Sequence, residues 1–338
     1  MNLLLTSIGK RIQLIEHLKT RFRVIGVDAS LQNPARHFVD GFYQIPRCKE
    51  DGYVETLLKI CREEKIDLLI PLFELEFSYL NDARSRFEEI GVKLILSEKP
   101  VIDICNDKMK TAAFFEKYGI PAPHTFSPME MEELMSQENQ NTISSDGCEK
   151  EGFLSGKETS YPLIIKPLDG MGSEGVFRIS NRKELGFFKD YVKKPILQSC
   201  ATGTEYTIDA LCDLQGNPVY IVPRIRLEVR SGEVTKSRTV KQEIVIRETE
   251  KLLEALNQEG RVIGPMTIQC FLEENGESEK KPEFIEINPR FGGGVPLSFA
   301  AGADYADALK KMCEGKQLIY QKDFSELTMM RYDQAVYE

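Results

Sequence analysis

The sequence predicts a mixed α/β protein with a Rossmann-like N-terminal domain and a strand-rich remainder. Residues 1–100 alternate short β-branched runs with helically spaced apolar residues, which is typical of βαβ units around a parallel sheet. From residue 161 onward, strand-like runs dominate. At about 150 residues per domain, a chain of 338 residues is long enough for two or three domains.

The N-terminal domain is predicted from four strands and the helices between them. The strands are residues 3–5, 24–27, 68–70 and 92–96, and the helices begin near residue 10 and cover residues 53–63 and 74–89. Glu74 and Glu76 follow the strand that ends at Pro71, at the sheet edge where α/β proteins bind ligands, so they are candidates for holding an amine.

The first turn of this domain, residues 6–10, argues against a dinucleotide site. It carries only Gly9, whereas the fingerprint for NAD requires three glycines. An NAD-dependent oxidoreductase is therefore a disfavoured alternative.

The middle of the chain is predicted to be helical between residues 97 and 123, with Asn106 or Asp107 as the N-cap and Gly119 at the C-terminal end. Ser127 and Glu130 have the spacing of a capping box and predict a further short helix. Residues 137–160 are acidic and polar without apolar periodicity, which predicts an exposed insertion.

Composition excludes several classes of function. The formal net charge is −9, which disfavours a nucleic-acid groove, and no apolar run approaches the ~20 residues needed to cross a bilayer. We therefore expect a cytoplasmic protein with neither a nucleic-acid nor a membrane partner. The chain has only three histidines and eight widely spaced cysteines, so a metal site must use carboxylates and amides.

A glycine-rich segment lies between two predicted strands, residues 163–166 and 175–179. Gly170, Gly172 and Gly175 match the spacing of a dinucleotide motif, but a strand follows them where that motif requires a helix. The alternatives are an ordinary hairpin and a flap whose backbone N–H groups cover phosphates, with Lys166 supplying a positive charge.

A second pattern, at residues 284–290, places Glu286 and Asn288 on one face of a strand. Gln269, on an upstream strand that we expect to be an antiparallel neighbour, can lie beside Glu286. Three oxygen donors suit Mg²⁺. Arg290 follows them, and its guanidinium can bind two oxygens of a phosphate or a carboxylate. The alternative is a simple ion pair between Glu286 and Arg290 at the strand end.

A third pattern runs from a buried strand, residues 195–200, into a glycine turn. The backbone there is of the kind that contacts an adenine edge, and Glu205 is placed to accept from ribose hydroxyls. A hairpin with nothing bound explains this pattern equally well.

The ordered set of these residues resembles the ATP-grasp superfamily, and within it the branch of carbamoyl-phosphate synthase large-subunit domains. The residues that carry the resemblance are Lys108, Lys166, Gln198, Glu205, Gln269, Glu286, Asn288 and Arg290. The segment at residues 288–294 is similar to a stand-alone bacterial group of that branch. The resemblance implies a pre-ATP-grasp domain at residues 1–98, linker helices at 99–127, a lid subdomain at 128–200 with the insertion 137–160, and a C-terminal subdomain at 201–338.

The resemblance also implies roles for individual residues. Lys108 and Lys166 would contact ATP phosphates, and Gly170, Gly172 and Ser173 would belong to the closing loop. Gln198 and the backbone of Ser199 and Cys200 would meet adenine, and Glu205 the ribose region. Gln269, Glu286 and Asn288 would hold Mg²⁺ or Mn²⁺, and Arg290 would steady the phosphoryl intermediate. Arg230 stands where the related domains have a histidine, and we take it as a catalytic candidate.

The implied activity is an ATP- and Mg²⁺-dependent carboxylate–amine or carboxylate–thiol ligase that proceeds through an acyl phosphate and releases ADP and phosphate. A kinase-like phosphotransferase is the open alternative. The expected partners are small carboxylates and amines, and the sequence is also compatible with a homodimer. Five bases are candidate contacts for an acidic substrate or form a solvated strand face: Arg224, Arg226, Arg230, Lys236 and Arg238.

Overall fold

The computed structural model describes residues 1–136, 152–154, 157–159, 161–168, 170, 174–230, 232–273 and 281–338. The predicted insertion at 137–160 therefore lies outside the described residues, apart from two short strands.

The elements occur in the following order. The strands are β1 Asn2–Thr6, β2 Arg23–Asp28, β3 Gly41–Gln44, β4 Leu68–Pro71, β5 Lys93–Leu94, β6 Thr125–Phe126, β7 Gly152–Leu154, β8 Lys157–Thr159, β9 Leu163–Pro167, β10 Phe177–Ile179, β11 Pro195–Ser199, β12 Thr204–Cys212, β13 Pro218–Arg230, β14 Glu233–Thr239, β15 Gly264–Leu272, β16 Glu283–Asn288 and β17 Thr328–Met330. The helices are α1 Ile12–Lys19, α2 Tyr53–Glu63, α3 Phe77–Asp82, α4 Arg84–Glu89, α5 Lys99–Cys105, α6 Lys108–Tyr118, α7 Pro128–Ser136, α8 Arg182–Tyr191, α9 Glu243–Glu259, α10 Pro296–Ala300 and α11 Tyr305–Cys313.

The chain divides into two compact units. Unit 1 comprises residues 1–106, 205–270 and 286–338, and unit 2 comprises residues 107–204 and 271–285. The four-part division inferred from the sequence stays a prediction. Within the described ranges, no helix combines the length and hydropathy needed to cross a bilayer.

Unit 1 begins with a parallel sheet in the order β3-β2-β1-β4-β5. The fully buried runs in β1 and β4 explain this arrangement, because strands covered on both faces are apolar throughout. The Rossmann-like prediction is confirmed. Since β1 lies between β2 and β4, the order reverses beside it, and this is the position where open α/β sheets bind ligands.

Unit 1 also contains most of a second sheet, ordered β16-β15-β12-β13-β14-β17. Its strands β12, β13 and β14 pair antiparallel. One apolar core joins the two sheets of this unit: Leu3 and Ile15 from the N-terminal segment share it with Leu211, Phe291 and Tyr305.

Unit 2 has a four-stranded sheet in the order β10-β9-β11-β6 with antiparallel pairing. The glycine-rich segment joins β9 to β10, so the predicted hairpin is confirmed. Two predicted helix starts are also observed: Asp107 accepts from the backbone N–H groups of Met109 and Lys110, and Ser127 and Glu130 form a reciprocal capping box.

Several elements differ from the sequence analysis, which treated the chain after residue 161 as strands until the last helices and did not predict β6, β14 or β17. Helix α8 begins at an Asn181 N-cap, and α9 is a 17-residue helix. Strand β3 was also missed, because its four residues are only partly buried and lack a clear apolar pattern.

Candidate functional site

One face of the larger sheet of unit 1 is polar. Because side chains alternate along a strand, Glu205, Thr207 and Asp209 of β12 share a face, as do Gln269 of β15 with Thr267 and Glu286 of β16 with Asn288. Two ion pairs join β12 to its neighbour β13: Arg224 and Arg226 of β13 bind Asp209 and Glu205 of β12, respectively.

The predicted neighbours Gln269 and Glu286 do meet. The Gln269 side-chain amide lies between Glu286 and Arg226. In one orientation of that amide, its nitrogen donates to Glu286 Oε2 at 3.0 Å and its oxygen accepts from Arg226 Nη1 at 3.0 Å. In the opposite orientation, the amide oxygen faces the carboxylate and the amide nitrogen faces the guanidinium.

These two orientations bear on whether a divalent cation fits here. Two oxygens facing each other repel, unless a cation lies close to both of them. The Gln269–Glu286 pair therefore offers a hydrogen-bonded arrangement without a metal and a chelating arrangement with one. Asn288 is partly buried two residues beyond Glu286, and its side chain adds another amide oxygen donor on the same strand face. This donor set of oxygens fits Mg²⁺ or Mn²⁺.

Glu205 has a cationic partner within the sheet. Its Oε1 accepts from Arg226 Nη1 at 2.8 Å. Since Arg226 also reaches Gln269, a chain of charged and amide groups runs from Glu205 to Glu286. The ribose contact inferred for Glu205 stays a prediction.

Arg290 follows the strand end at Pro289, as expected, but its partner is not Glu286. It donates through Nε to Glu74, and through Nη1 to the Phe291 carbonyl at 3.1 Å. Glu74 lies just after β4, at the carboxyl edge of the parallel sheet, as the sequence indicated. Arg290, which follows Glu286 and Asn288 in sequence, is therefore paired with a residue at the carboxyl edge of the parallel sheet, within unit 1.

Glu76, from the same short turn, is buried and accepts hydrogen bonds from the hydroxyls of Thr6 and Ser7 at the end of β1. Burial raises the pKa of its carboxyl, and the two hydroxyls oppose that rise. Asp28, at the end of β2, accepts from the backbone N–H of Gly9 at 3.0 Å. In a dinucleotide-binding fold, an acid at the position of Asp28 binds the ribose hydroxyls. Here Asp28 instead accepts from the first turn, which further disfavours an NAD site.

The glycine run after Arg290 has a packing reason. A Cβ on Gly294 would lie 2.6 Å from Arg224 Cζ, and one on Gly292 would lie 2.9 Å from Thr267 Oγ1. Beneath this run, Arg224 and Asp209 form a fully buried pair through Arg224 Nε and Asp209 Oδ2, 2.9 Å apart. Arg224 is therefore a structural cation and not the substrate contact that the basic cluster suggested.

The remaining members of that basic cluster are also paired with acids. Lys236 Nζ lies 2.6 Å from Glu228, and Arg238 Nη2 lies 3.7 Å from Glu326. Arg230 is largely exposed at the end of β13, with Nη1 3.9 Å from Asp333. The solvated strand face therefore describes these three residues better than a substrate pocket does, and the catalytic role inferred for Arg230 has no support from its surroundings.

Unit 2 carries the predicted nucleotide-binding residues. Lys166 lies on β9 opposite Ile196 of β11, on the strand that leads into the glycine-rich segment. Lys108, the first residue of α6, donates to the carbonyl oxygens of Leu168 at 3.1 Å and Gly170 at 2.7 Å. It thus anchors the start of the glycine-rich segment, a contact that the sequence did not indicate. Gly172 and Ser173 lie outside the described residues.

Gln198, Ser199 and Cys200 occupy the end of β11. The Gln198 side-chain nitrogen donates to Thr125 Oγ1 at 2.7 Å, and the Ser199 N–H donates to the His124 carbonyl at 2.9 Å. Because the Ser199 N–H is engaged, an adenine contact at this strand end would have to use other backbone groups.

Three residues near the site were missed from the sequence: Arg11, Asp209 and Thr267. Thr267 Oγ1 donates to the Arg290 carbonyl at 2.9 Å. The alternation of β15 gave a signal for Thr267, since it shares a face with Gln269, and the same holds for Asp209 relative to Glu205.

The family model described as "ATP-grasp domain" matches residues 105–294, and the model described as "PylC-like, N-terminal domain" matches residues 3–95. The chain belongs to the ATP-grasp family, which confirms the resemblance inferred from the sequence.

Relatives with curated names are carbamoyl phosphate synthase large chains. That of Pyrococcus furiosus is 28% identical over 230 residues, covering 64% of this chain and 19% of the relative, and that of Campylobacter jejuni is 25% identical over 305 residues, covering 83% and 25%. The chain thus spans a fifth to a quarter of the length of these relatives.

Solved structures share the fold. N5-carboxyaminoimidazole synthetase from Staphylococcus aureus, complexed with ADP, aligns with a TM-score of 0.72 at 15% identity, covering 98% of this chain and 82% of that one. L-amino acid ligase from Bacillus licheniformis aligns with a TM-score of 0.62 at 20% identity, covering 93% and 74%.

Proposed function

We propose that this protein is an ATP- and Mg²⁺-dependent ligase that joins a small carboxylate to an amine, or alternatively to a thiol, with release of ADP and phosphate. The observation that carries the proposal is the oxygen-rich group of Gln269, Glu286 and Asn288, followed by Arg290 paired to the ligand-binding edge of the parallel sheet. Family membership and the names of the relatives support it.

The proposed roles divide by unit. In unit 2, Lys108 and Lys166 supply positive charge to the ATP phosphates, Gly170, Gly172 and Ser173 belong to the covering loop, and Gln198, Ser199 and Cys200 contact adenine. In unit 1, Glu205 accepts from the ribose, and Gln269, Glu286 and Asn288 hold the cation, which neutralises phosphate charge when bound. Arg290 stabilises charge that develops during phosphoryl transfer to the carboxylate, and Arg230 remains the weakest catalytic candidate.

In the proposed reaction, the substrate carboxylate attacks the γ-phosphorus of ATP, and ADP leaves. The amine then attacks the acyl carbon, phosphate leaves with the bonding electrons, and the amine loses a proton. Fixed guanidinium and lysine charges favour the first step because they are already oriented when negative charge moves onto the transferred group. Exclusion of water protects the acyl phosphate from hydrolysis.

The test is ADP release from ATP and Mg²⁺ in the presence of pooled carboxylic acids, amines and thiols, with products identified by mass spectrometry. A ligase forms an amide or thioester together with phosphate, whereas a phosphotransferase leaves a phosphorylated acceptor. We expect Lys166→Met to abolish acceptor-dependent ADP release, and Lys183→Met, on the exposed surface of α8, to retain it. Absence of release with every pool, or a phosphorylated acceptor as the final product, would overturn the ligase proposal.

A further inference from the structure

Arg11 is the most unusual charged residue near the candidate site. It immediately precedes α1, and its backbone N–H donates to the Ile8 carbonyl at 2.9 Å, which fixes its position at the end of the first turn. Its side chain passes over the glycine run, because a Cβ on Gly293 would lie 3.5 Å from Arg11 Nη1. Arg11 therefore reaches the loop that follows Arg290, within the same unit.

The Arg11 guanidinium has five N–H donors, and none of them makes a hydrogen bond or an ion pair within the part of the chain that the structure describes. The nearby cations all have acidic partners. Arg290 binds Glu74, while Lys10 and Arg331 lie 3.2 and 3.5 Å from the two oxygens of Glu233. The two carboxylates are thus already paired with three other cations, and they attract Arg11 only from beyond ion-pair distance.

The surroundings of Arg11 oppose its charge. Desolvation, followed by repulsion from Arg290, lowers the pKa of Arg11 to about 10. The guanidinium nevertheless stays charged at neutral pH. A partly buried cation beside another cation destabilises the ligand-free protein, and such an arrangement is retained where a ligand supplies the missing negative charge.

Arg224 shows what a structural arginine looks like in this protein. It is fully buried, and its guanidinium is joined to Asp209 through Nε at 2.9 Å. Ser298 donates to the same carboxylate at 2.7 Å, which completes the network. Arg11 is only partly buried and lacks any such acceptor. This contrast indicates that Arg11 binds a ligand and does not stabilise the fold as Arg224 does.

We propose that Arg11 binds an anionic group, a carboxylate or a phosphate, of the small-molecule substrate. This inference rests on the proposed function and makes the substrate a compound with an acidic group that Arg11 recognises. The planar fork of arginine suits two oxygens of such a group, and the adjoining Arg290 strengthens the attraction.

The first experiment measures direct binding of succinate and of inorganic phosphate, without ATP, by isothermal titration calorimetry. We expect at least one probe to bind the wild-type protein and to lose about tenfold or more in affinity in Arg11→Met. Arg86→Met, which removes an exposed arginine paired with Glu55, is the matched control and should bind as the wild type does. The probe that binds distinguishes a carboxylate from a phosphate ligand.

The second measurement is the melting temperature without ligand. Because Arg11→Met removes a desolvated charge that has no ion-pair partner among the described residues, its melting temperature should equal or exceed that of the wild type, whereas loss of a structural arginine lowers it. Arg11→Lys, which keeps the charge but not the fork, should bind the probe more weakly than the wild type and decides the matter if the methionine variant does not fold.

The proposal is overturned if neither probe binds the wild-type protein, if both Arg11 variants bind as tightly as the wild type, or if Arg11→Met folds with a clearly lowered melting temperature. These outcomes are independent of ADP release. Wild-type turnover with an unchanged KM for the acid in Arg11→Met would reject the role of Arg11 and leave the ligase proposal standing. Probe binding that depends on Arg11, without turnover of any substrate, would reject the ligase proposal and leave the anion site at Arg11 standing.

Discussion

At the scale of single residues, Glu286 is the carboxylate on which the proposed metal site depends. Glu286→Gln keeps the shape of the side chain and removes its negative charge. We expect turnover at fixed Mg²⁺ to fall by about a hundredfold or more, because an amide binds divalent cations poorly and no longer balances the phosphate-bound cation. Initial rates measured across an Mg²⁺ titration provide the check.

Glu254→Gln, which removes an exposed carboxylate from α9, is the matched control and should leave the Mg²⁺ dependence unchanged. Thermal shifts with ATP and with ATP plus Mg²⁺ separate loss of the metal from loss of the nucleotide: the extra shift due to Mg²⁺ should vanish in Glu286→Gln. A variant that kept the wild-type Mg²⁺ dependence would rule out Glu286 as a ligand.

Glu76 leads to a prediction about pH. Burial raises the pKa of this carboxyl in the folded protein, so the folded state holds the proton more tightly than the unfolded state. The resulting contribution to the free energy of unfolding is complete below the unfolded pKa, and it is lost as pH rises through the folded pKa. Glu76→Gln has no proton to lose, so we expect it to gain stability relative to the wild type as pH increases.

The check is urea denaturation of both proteins at constant ionic strength, from about pH 4 to about pH 8. The difference in free energy of unfolding, variant minus wild type, should rise with pH, while the same difference for the exposed Glu254→Gln should stay flat. A difference that fell with pH would contradict the direction of the pKa shift.

At the scale of elements, glycine is required in the loop after β16 because neighbouring side chains leave no space for a Cβ, and not because of the backbone conformation. A Cβ at Gly294 would meet the buried guanidinium of Arg224 at 2.6 Å, whereas one at Gly293 would make only an ordinary contact of 3.5 Å with Arg11. We expect Gly294→Ala to lower the free energy of unfolding by about 1–3 kcal/mol through overpacking, and Gly293→Ala to change it much less. Chemical denaturation of the two variants tests this, and equal destabilisation would show that the spacing argument fails.

The same scale shows which features the sequence could predict. Asp107 and the pair Ser127 and Glu130 have local signals, since each acts within three residues of its own position, and the structure has those caps. Helix α9 had a signal in the helical spacing of its buried residues, among them Leu252 and Leu256, but the strand-rich neighbourhood obscured it.

The candidate site was predictable only in part, for a physical reason. Gln269 and Glu286 were placed together because strand alternation and antiparallel pairing act over short distances in sequence. Arg224 and Arg226 share a strand face and have the same chemistry, yet one is buried against Asp209 and the other reaches Glu205 and Gln269. Partners on other strands separate the two roles, and a single sequence does not show those partners.

At the scale of the whole chain, unit 1 is assembled from segments far apart in sequence. Its N-terminal part has two apolar cores: one, with Leu4, Leu57 and Phe87, is formed by N-terminal residues alone, and the other is shared with segments from the C-terminal half. Helix α1 packs with residues near the C-terminus: the His17 ring stacks on Phe299 with centroids 3.9 Å apart, and the His17 side chain accepts from the Ala306 N–H at 3.1 Å. Leu3 and Ile15 lie in the same core as Phe291 and Tyr305.

This arrangement predicts that a fragment of residues 1–98, the predicted first domain, is not stable alone. Removing the C-terminal segments exposes the buried face of α1 and one side of the parallel sheet. Burial of each apolar side chain stabilises the folded state by about 1.5–3 kcal/mol, and the free energy of unfolding of a domain is only ~5–15 kcal/mol. Exposing several such side chains is therefore enough to unfold the fragment. We expect the fragment to bind a hydrophobic dye and to melt without a cooperative transition by circular dichroism, in contrast to the full chain. A cooperative melt close to that of the full chain would instead show that the parallel sheet and its helices form an independent folding unit, and that the C-terminal segments only add to it.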